Sequence, residues 1–169
     1  RAVERRRSMT TVEPCGWDSR PATTADLPWL FELHREALGP SVEATWGWDE
    51  DFQSAHFRDR FDVERDRILQ LEGQDVGGLR CRTEEDALHL DYIAIAAAHR
   101  NRGLGERVVR DLMGRAETLG LPLLLGVLRA NRAVGFYERL GFRRVKEDAL
   151  RILMEWAPGK PKAKAEGGA

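Results

Sequence analysis

"RNRGLG" (Arg100–Gly105) joins two runs of different period. Before it stands "LHLDYIAIAAA" (Leu88–Ala98), an apolar stretch of strand length. After it, Leu104, Val108, Leu112, Met113, Ala116 and Leu119 recur at spacings of three and four, the pattern of an amphipathic helix that Gly120 stops. A helix beginning at such a junction offers unpaired backbone N–H groups and the positive end of its dipole. Gly103 and Gly105 let a ligand approach that backbone without meeting a Cβ, while Arg100 and Arg102 supply guanidinium groups. The natural ligand is a phosphate or pyrophosphate. Two familiar phosphate loops do not fit. No Lys-Ser/Thr pair follows the glycines, as a Walker loop requires, and Val108 stands where a dinucleotide loop has its third glycine.

Working outward, "CGWDSRPA" (Cys15–Ala22) reads as a first strand. Thr23 or Thr24 caps a helix whose apolar face holds Leu27, Leu30, Phe31, His34, Ala37 and Leu38, and which the pair Gly39-Pro40 is expected to end. "WDEDFQSAHFRDRF" predicts a second helix capped by Asp49. "RILQL" and "VGGLRCRT" around the turn "EGQD" predict a hairpin in which Gly77 and Gly78 mark a bulge or a close backbone contact, with Arg80 and Arg82 on a solvated face. "ALHLDYIAI" is the next strand. Simple alternation puts His89, Asp91, Ile93 and Ile95 on one side of it and Leu88, Leu90 and Tyr92 on the other. "LPLLLGVL" reads as a buried strand, Asn131–Leu140 as a short helix stopped by Gly141, and "FRRVKE" with "LRILMEW" as a closing hairpin. The order β α α β β β α β α β β is that of an α/β domain on a mixed sheet.

The spacing Arg100-x-x-Gly103-x-Gly105 satisfies [QR]-x-x-G-x-[GA], and "NRAVGFYERLGF" (Asn131–Phe142) carries an Asn followed by a short helix with Y-x-x-x-G-F. On these two elements the sequence resembles the GCN5-related N-acetyltransferases (GNAT), over about residues 17 to 157. Tyr137 follows Asn131 by six residues, where seven is commoner in that family. The resemblance implies a mostly antiparallel mixed sheet flanked by helices, acetyl-CoA as co-substrate and no metal. It implies that the strand end Ile93, Ala94 and Ile95 lies along the pantetheine arm, that Arg100, Asn101, Arg102, Gly103, Leu104 and Gly105 hold the pyrophosphate, and that Asn131 lies near the pantetheine. Tyr137 takes the place of the general acid that protonates the departing thiolate. Attack on the thioester needs a neutral amine, so a base is expected as well. His89, eleven residues before Arg100, resembles the base position of histone-type members, and Asp91 falls where the second histidine of the arylalkylamine enzymes lies. In the family the segment between the first two helices lines the acceptor site, which makes Trp46, Trp48 and Glu43 in and beside "TWGWDE" candidates to face an amine. Small amines, amino acids, aminoglycosides and protein N-termini all remain open as acceptors. The leading expectation is acetyl transfer to a primary amine of a small molecule. The alternatives are a protein acetyltransferase of the N-terminal or lysine type and a catalytically weak CoA-binding regulatory module.

Composition narrows the partners. The 169 residues with 42% hydrophobic content suit one compact domain. Residues 1–8 carry a charge of +3 and residues 158–169 a charge of +2, which leaves −6 for the body between them. An acidic body argues against a nucleic-acid partner. The longest uncharged apolar run, Leu121–Leu128, is too short for a membrane span. Residues 1–13 are expected to form a flexible basic tail, 14–157 the domain, and 158–169 a disordered Lys/Pro/Gly tail. The sequence opens on Arg1, shows no secretory pattern there and has Met9 as a candidate start. Cys15 and Cys81 have no ligand spacing and read as reduced thiols of a cytoplasmic protein; the four histidines form no metal-ligand pair. Family members are often dimers, and by that analogy a sheet edge could take a second copy.

Overall fold

The computed structural model describes residues 17–159; the tails expected at 1–13 and 158–169 lie outside these, apart from Pro158 and Gly159. The elements are β1 (Asp18–Pro21), α1 (Leu27–Trp46), α2 (Glu50–Arg60), β2 (Asp66–Leu71), β3 (Gln74–Thr83), β4 (Leu88–Ile95), α3 (Leu104–Leu119), β5 (Leu123–Leu128), α4 (Ala133–Leu140), β6 (Arg143–Glu147) and β7 (Arg151–Trp156). This is the order expected from the sequence. The seven strands form one sheet in the order β1-β2-β3-β4-β5-β7-β6, antiparallel throughout except between β4 and β5.

Each face of the sheet has its own core. On one, α3 and α4 bury Val108, Val109, Leu112, Met113, Val134 and Tyr137 against Leu69, Leu79, Leu88, Leu90, Leu123 and Leu125. On the other, Leu30 and Leu33 of α1 meet Ile68 and Ala94, with Phe57, Phe61 and Tyr92 packed around them. Each such side chain contributes about 1.5–3 kcal/mol when taken out of water.

Both C-terminal helix ends on the first face have the same physics. Gly120 and Gly141 take φ of 68° and 100°, and the chain closes each end with paired backbone bonds. After α4, Phe142 N–H donates to the Tyr137 carbonyl at 3.1 Å and Gly141 N–H to that of Glu138 at 3.0 Å, a Schellman closure. Its usual hydrophobic contact is the edge-on packing of Phe142 on Tyr137, with ring centroids 5.5 Å apart. The Y-x-x-x-G-F pattern is therefore a helix stop that also clamps the tyrosine ring.

Three sequence expectations are corrected. First, α1 does not end at Gly39-Pro40 but runs on to Trp46. Proline has a helical φ, and its clash falls on the preceding residue, which here is a glycine with no Cβ. Gly39 is buried inside the helix with ordinary backbone, and a Cβ there would meet the Trp48 ring at 3.8 Å, an ordinary contact, so the glycine does not mark a helix end. Second, β4 does not alternate simply. Arg80 pairs with Tyr92 and Cys81 with Leu90, so Asp91 is a bulge with no partner in β3. The extra residue shifts the phase. Leu88, Leu90, Ile93 and Ile95 all face the α3/α4 core, whereas Tyr92 and Ala94 face α1 and α2. Third, Arg80 does not face solvent. Its guanidinium makes a bidentate pair with buried Asp66, at 3.0 and 2.8 Å, and Arg82 bridges Asp91 and Glu84. Gly77 marks a close contact as expected: a Cβ there would stand 2.5 Å from the Ala94 carbonyl oxygen.

Candidate active site

β4 and β5 pair in parallel only at Leu88–Leu123, His89–Leu124 and Leu90–Leu125. Beyond the Asp91 bulge the strands separate, while β5 stays paired to β7 through Leu128. The separation opens a cleft of about 1600 Å³ that crosses the sheet, from the α1/α2 side to the α3/α4 side. Ile93, Ala94 and Ile95 line it along the divergent end of β4.

At one end of the cleft lies the anion cradle. Arg100, Asn101, Gly103, Leu104 and Gly105 line it, with Arg102 between them in sequence. Asn101 and Gly103 both hold the left-handed conformation, φ 59° and 75°, and Gly103 caps α3. Asn tolerates that region and Gly favours it, so the turn delivers the α3 N-terminus to the cleft. Gly105 has open space before it, with Ile95 3.9 Å from where a Cβ would stand. Arg100 turns back into the protein: its Nε donates to the Ile95 carbonyl at 2.7 Å and its Nη2 lies 3.8 Å from Glu36. Across the cleft, Asn131 accepts the Ala133 N–H at 2.9 Å and so starts α4, which presents Arg132, Phe136 and Tyr137.

Tyr137 is 6% exposed, in the core yet on the cleft wall. Burial pushes its phenol well above the ordinary tyrosine range, so the hydroxyl stays protonated, the form a proton donor needs. His89 and Asp91 line the same cleft. His89 Nε2 lies 3.3 Å from Glu84 Oε2, and Asp91 accepts from Arg82 Nε at 2.9 Å. Glu84, Asp86 and His89 lie close enough together to meet an ion, but two of them are open to solvent, and exposed acidic groups stand together commonly without one.

The other end of the cleft is walled by α1 and α2. Trp46 lines it, 52% exposed, with the Arg151 guanidinium 5.6 Å from its ring. Trp48 lies behind the wall, packed on Phe31 and His34, and donates to Glu50 at 2.7 Å. Glu43 accepts the Trp48 backbone N–H at 2.5 Å and so fastens the link between the helices. Of these three candidates only Trp46 reaches the cleft. In their place stand residues that the sequence did not single out: Phe52, Gln53 and His56 from α2, and Tyr92 from β4. His34, assigned to the apolar face of α1, lines it too. A titratable ring on an apolar helix face was the signal that could have found it.

A family profile described as an acetyltransferase (GNAT) domain matches residues 63–144. No curated protein matches the chain in sequence. Among solved structures, the PaiA N-acetyltransferase of Thermoplasma acidophilum in complex with coenzyme A superposes with a TM-score of 0.67 at 16% identity, covering 83% of this chain and 98% of its own. An acetyltransferase from Thermus thermophilus gives 0.64 at 23% identity, with 83% and 96% covered. The ribosomal-protein-S18-alanine N-acetyltransferase of Escherichia coli gives 0.60 at 20% identity, with 83% and 93% covered. The matched domain takes in β2 to α4, hence the separated strands, the glycine turn and Tyr137, and residues 63–144 of the chain form an acetyltransferase (GNAT) domain, of a family of enzymes that draw on acetyl-CoA and act on amines.

Proposed function

We propose that the protein transfers the acetyl group of acetyl-CoA directly to the primary amine of a small-molecule acceptor. The observation that carries this reading is the parting of β4 and β5 after three paired positions, with the α3 N-terminus at one end of the gap and Tyr137 on its wall. Arg100–Gly105 hold the pyrophosphate through backbone N–H groups. Ile93–Ile95 and Asn131 accompany the pantetheine. His89 Nδ1, with Glu84 steadying the opposite nitrogen, takes the amine proton; the amine nitrogen attacks the thioester carbon, the C–S bond breaks, and Tyr137 protonates the thiolate. Asp91 supports this end of the strand through Arg82. Trp46, Phe52 and His56 from α1 and α2 wall the acceptor half, which favours a small guest. One observation favours a protein N-terminus as the second reading: the likeness to the S18-alanine enzyme. The half-buried, free Cys81 thiol fits a cytoplasmic setting. No described helix is long and apolar enough to cross a membrane.

Calorimetric titration of acetyl-CoA into wild type and Gly105→Glu tests the reading. Gly105 sits in ordinary helical backbone with space before it, so a glutamate there places a carboxylate in the cradle without backbone strain. Micromolar binding by wild type and none by the folded variant is expected. No binding by wild type refutes the reading.

A further inference from the structure

At the acceptor end, two polar atoms are buried without any hydrogen-bond partner: Nδ1 of His34 and the hydroxyl of Tyr92. They come from different elements, α1 and β4, and both residues line the cleft. Their rings stand 6.1 Å apart, centroid to centroid, inside an aromatic cage in which Phe57 lies 5.0 Å from His34 and 6.2 Å from Tyr92. Native proteins seldom leave such groups unsatisfied, and those they leave call for a reason.

The two atoms are complementary in kind. Gln53, buried on α2, stands beside the His34 ring and acts to raise its pKa. A neutral imidazole has one N–H and one lone pair, and in the Nε2–H tautomer the unpartnered Nδ1 is the acceptor. Burial outweighs Gln53 and, with His56 on α2 adding to it, holds the ring neutral. Burial likewise keeps the Tyr92 phenol protonated, as a donor. One free acceptor thus stands beside one free donor.

We propose that His34 and Tyr92 form a specificity subsite that reads a neutral group able both to donate and to accept, a hydroxyl or carboxamide, on the amine acceptor. This rests on the acetyl-transfer reading and narrows its substrate to hydroxylated or amide-bearing amines over plain hydrocarbon amines. Neither atom is open to water as the cleft stands, so the acceptor reaches them as the α1/α2 wall eases outward. An acceptor lacking the polar group would leave both atoms unpaired, the source of strong discrimination in a site built to hydrogen-bond its substrate.

The test is calorimetric titration of 2-amino-1-phenylethanol and of 2-phenylethylamine into protein saturated with CoA. The hydroxylated amine should bind at least about tenfold tighter. In Tyr92→Phe and in His34→Phe the preference should vanish, with CoA affinity unchanged. Tyr92→Phe should also raise Tm, since it deletes a buried unsatisfied hydroxyl. Equal binding of the two amines, binding of neither, or a preference that survives both substitutions overturns the subsite. Each of these outcomes with CoA still bound leaves acetyl transfer standing, whereas loss of CoA binding by wild type refutes that broader reading instead.

Discussion

The two ends of the cleft are built from different materials. The end at α3 is made of backbone: a left-handed turn at Asn101 and Gly103, a helix N-terminus, and the unpaired edge of β4. The end under α1 and α2 is made of side chains: an aromatic cage around His34, with the ion pair of Arg82 and Asp91 beside it. A backbone device needs glycines at fixed spacings and tolerates change elsewhere. A side-chain device depends on which residues meet, and that varies freely from one chain to another.

The contrast can be broken in order of expected effect. Tyr137→Phe removes the proposed proton donor and leaves the ring clamped by Phe142; kcat should fall by about 10²- to 10⁴-fold while the CoA dissociation constant holds, as steady-state kinetics and calorimetry will show. A kcat within a few-fold of wild type would move the acid elsewhere. Next in size, Arg80→Ala leaves the buried Asp66 charge without its cation, with only the Asp62 N–H still donating to it, and should cost about 3–5 kcal/mol in urea unfolding. Loss of under about 1 kcal/mol would mean that β2 and β3 are not held together by this charge pair. Gly77→Ala drives a Cβ against the Ala94 carbonyl and should cost about 1–3 kcal/mol. It should weaken CoA binding as well, because Ala94 borders the gap. Arg102→Ala sharpens the other side of the comparison. If backbone holds the pyrophosphate, CoA affinity should fall no more than about fivefold, the ~1 kcal/mol of an exposed charge contact.

The smallest effect is on stability in acid. Arg20 hydrogen-bonds the Asp26 carboxylate at the start of α1 and lowers its pKa from 3.8 to about 2. A depressed carboxylate stabilises the fold above its unfolded pKa, and that contribution disappears as pH falls from near 4 towards 2. Asp26→Asn should flatten this part of a Tm-against-pH curve; an unchanged slope would show the pair to be thermodynamically silent.

Legibility in the sequence followed the same division. The element order, the glycine turn that opens α3 and the closure after Tyr137 could be read because helix periodicity, glycine stops and the G-F closure are local. The expectations that failed depended on partners distant in the chain. Gly39-Pro40 looks like a stop unless Trp48 is known to fold back over Gly39. Arg80 looks solvated unless Asp66 is known to lie beneath it. Strict alternation along β4 misassigned faces because the bulge at Asp91 shows only when β3 is laid alongside. Alternation groups Tyr92 with Leu88 and Leu90 for that reason and hides its place in the cleft wall beside α1.

Three rungs are all that join β4 to β5. Mechanically the sheet is two plates: β1 to β4 on one side, β5, β7 and β6 on the other, with α3 strapped across the seam. Each plate is stiff because its ladders are long. The seam is short, and its width sets the distance between Tyr137 and the α1/α2 wall. A force applied across the sheet would part it there first, and the amide of Leu90, which shares the β5-facing side of β4 with the Leu88 N–H that donates to the Pro122 carbonyl, would be among the earliest in the β4 ladder to exchange with solvent. In this chain the span between Tyr137 and the α1/α2 wall is set by a crack in the sheet that the fold itself maintains.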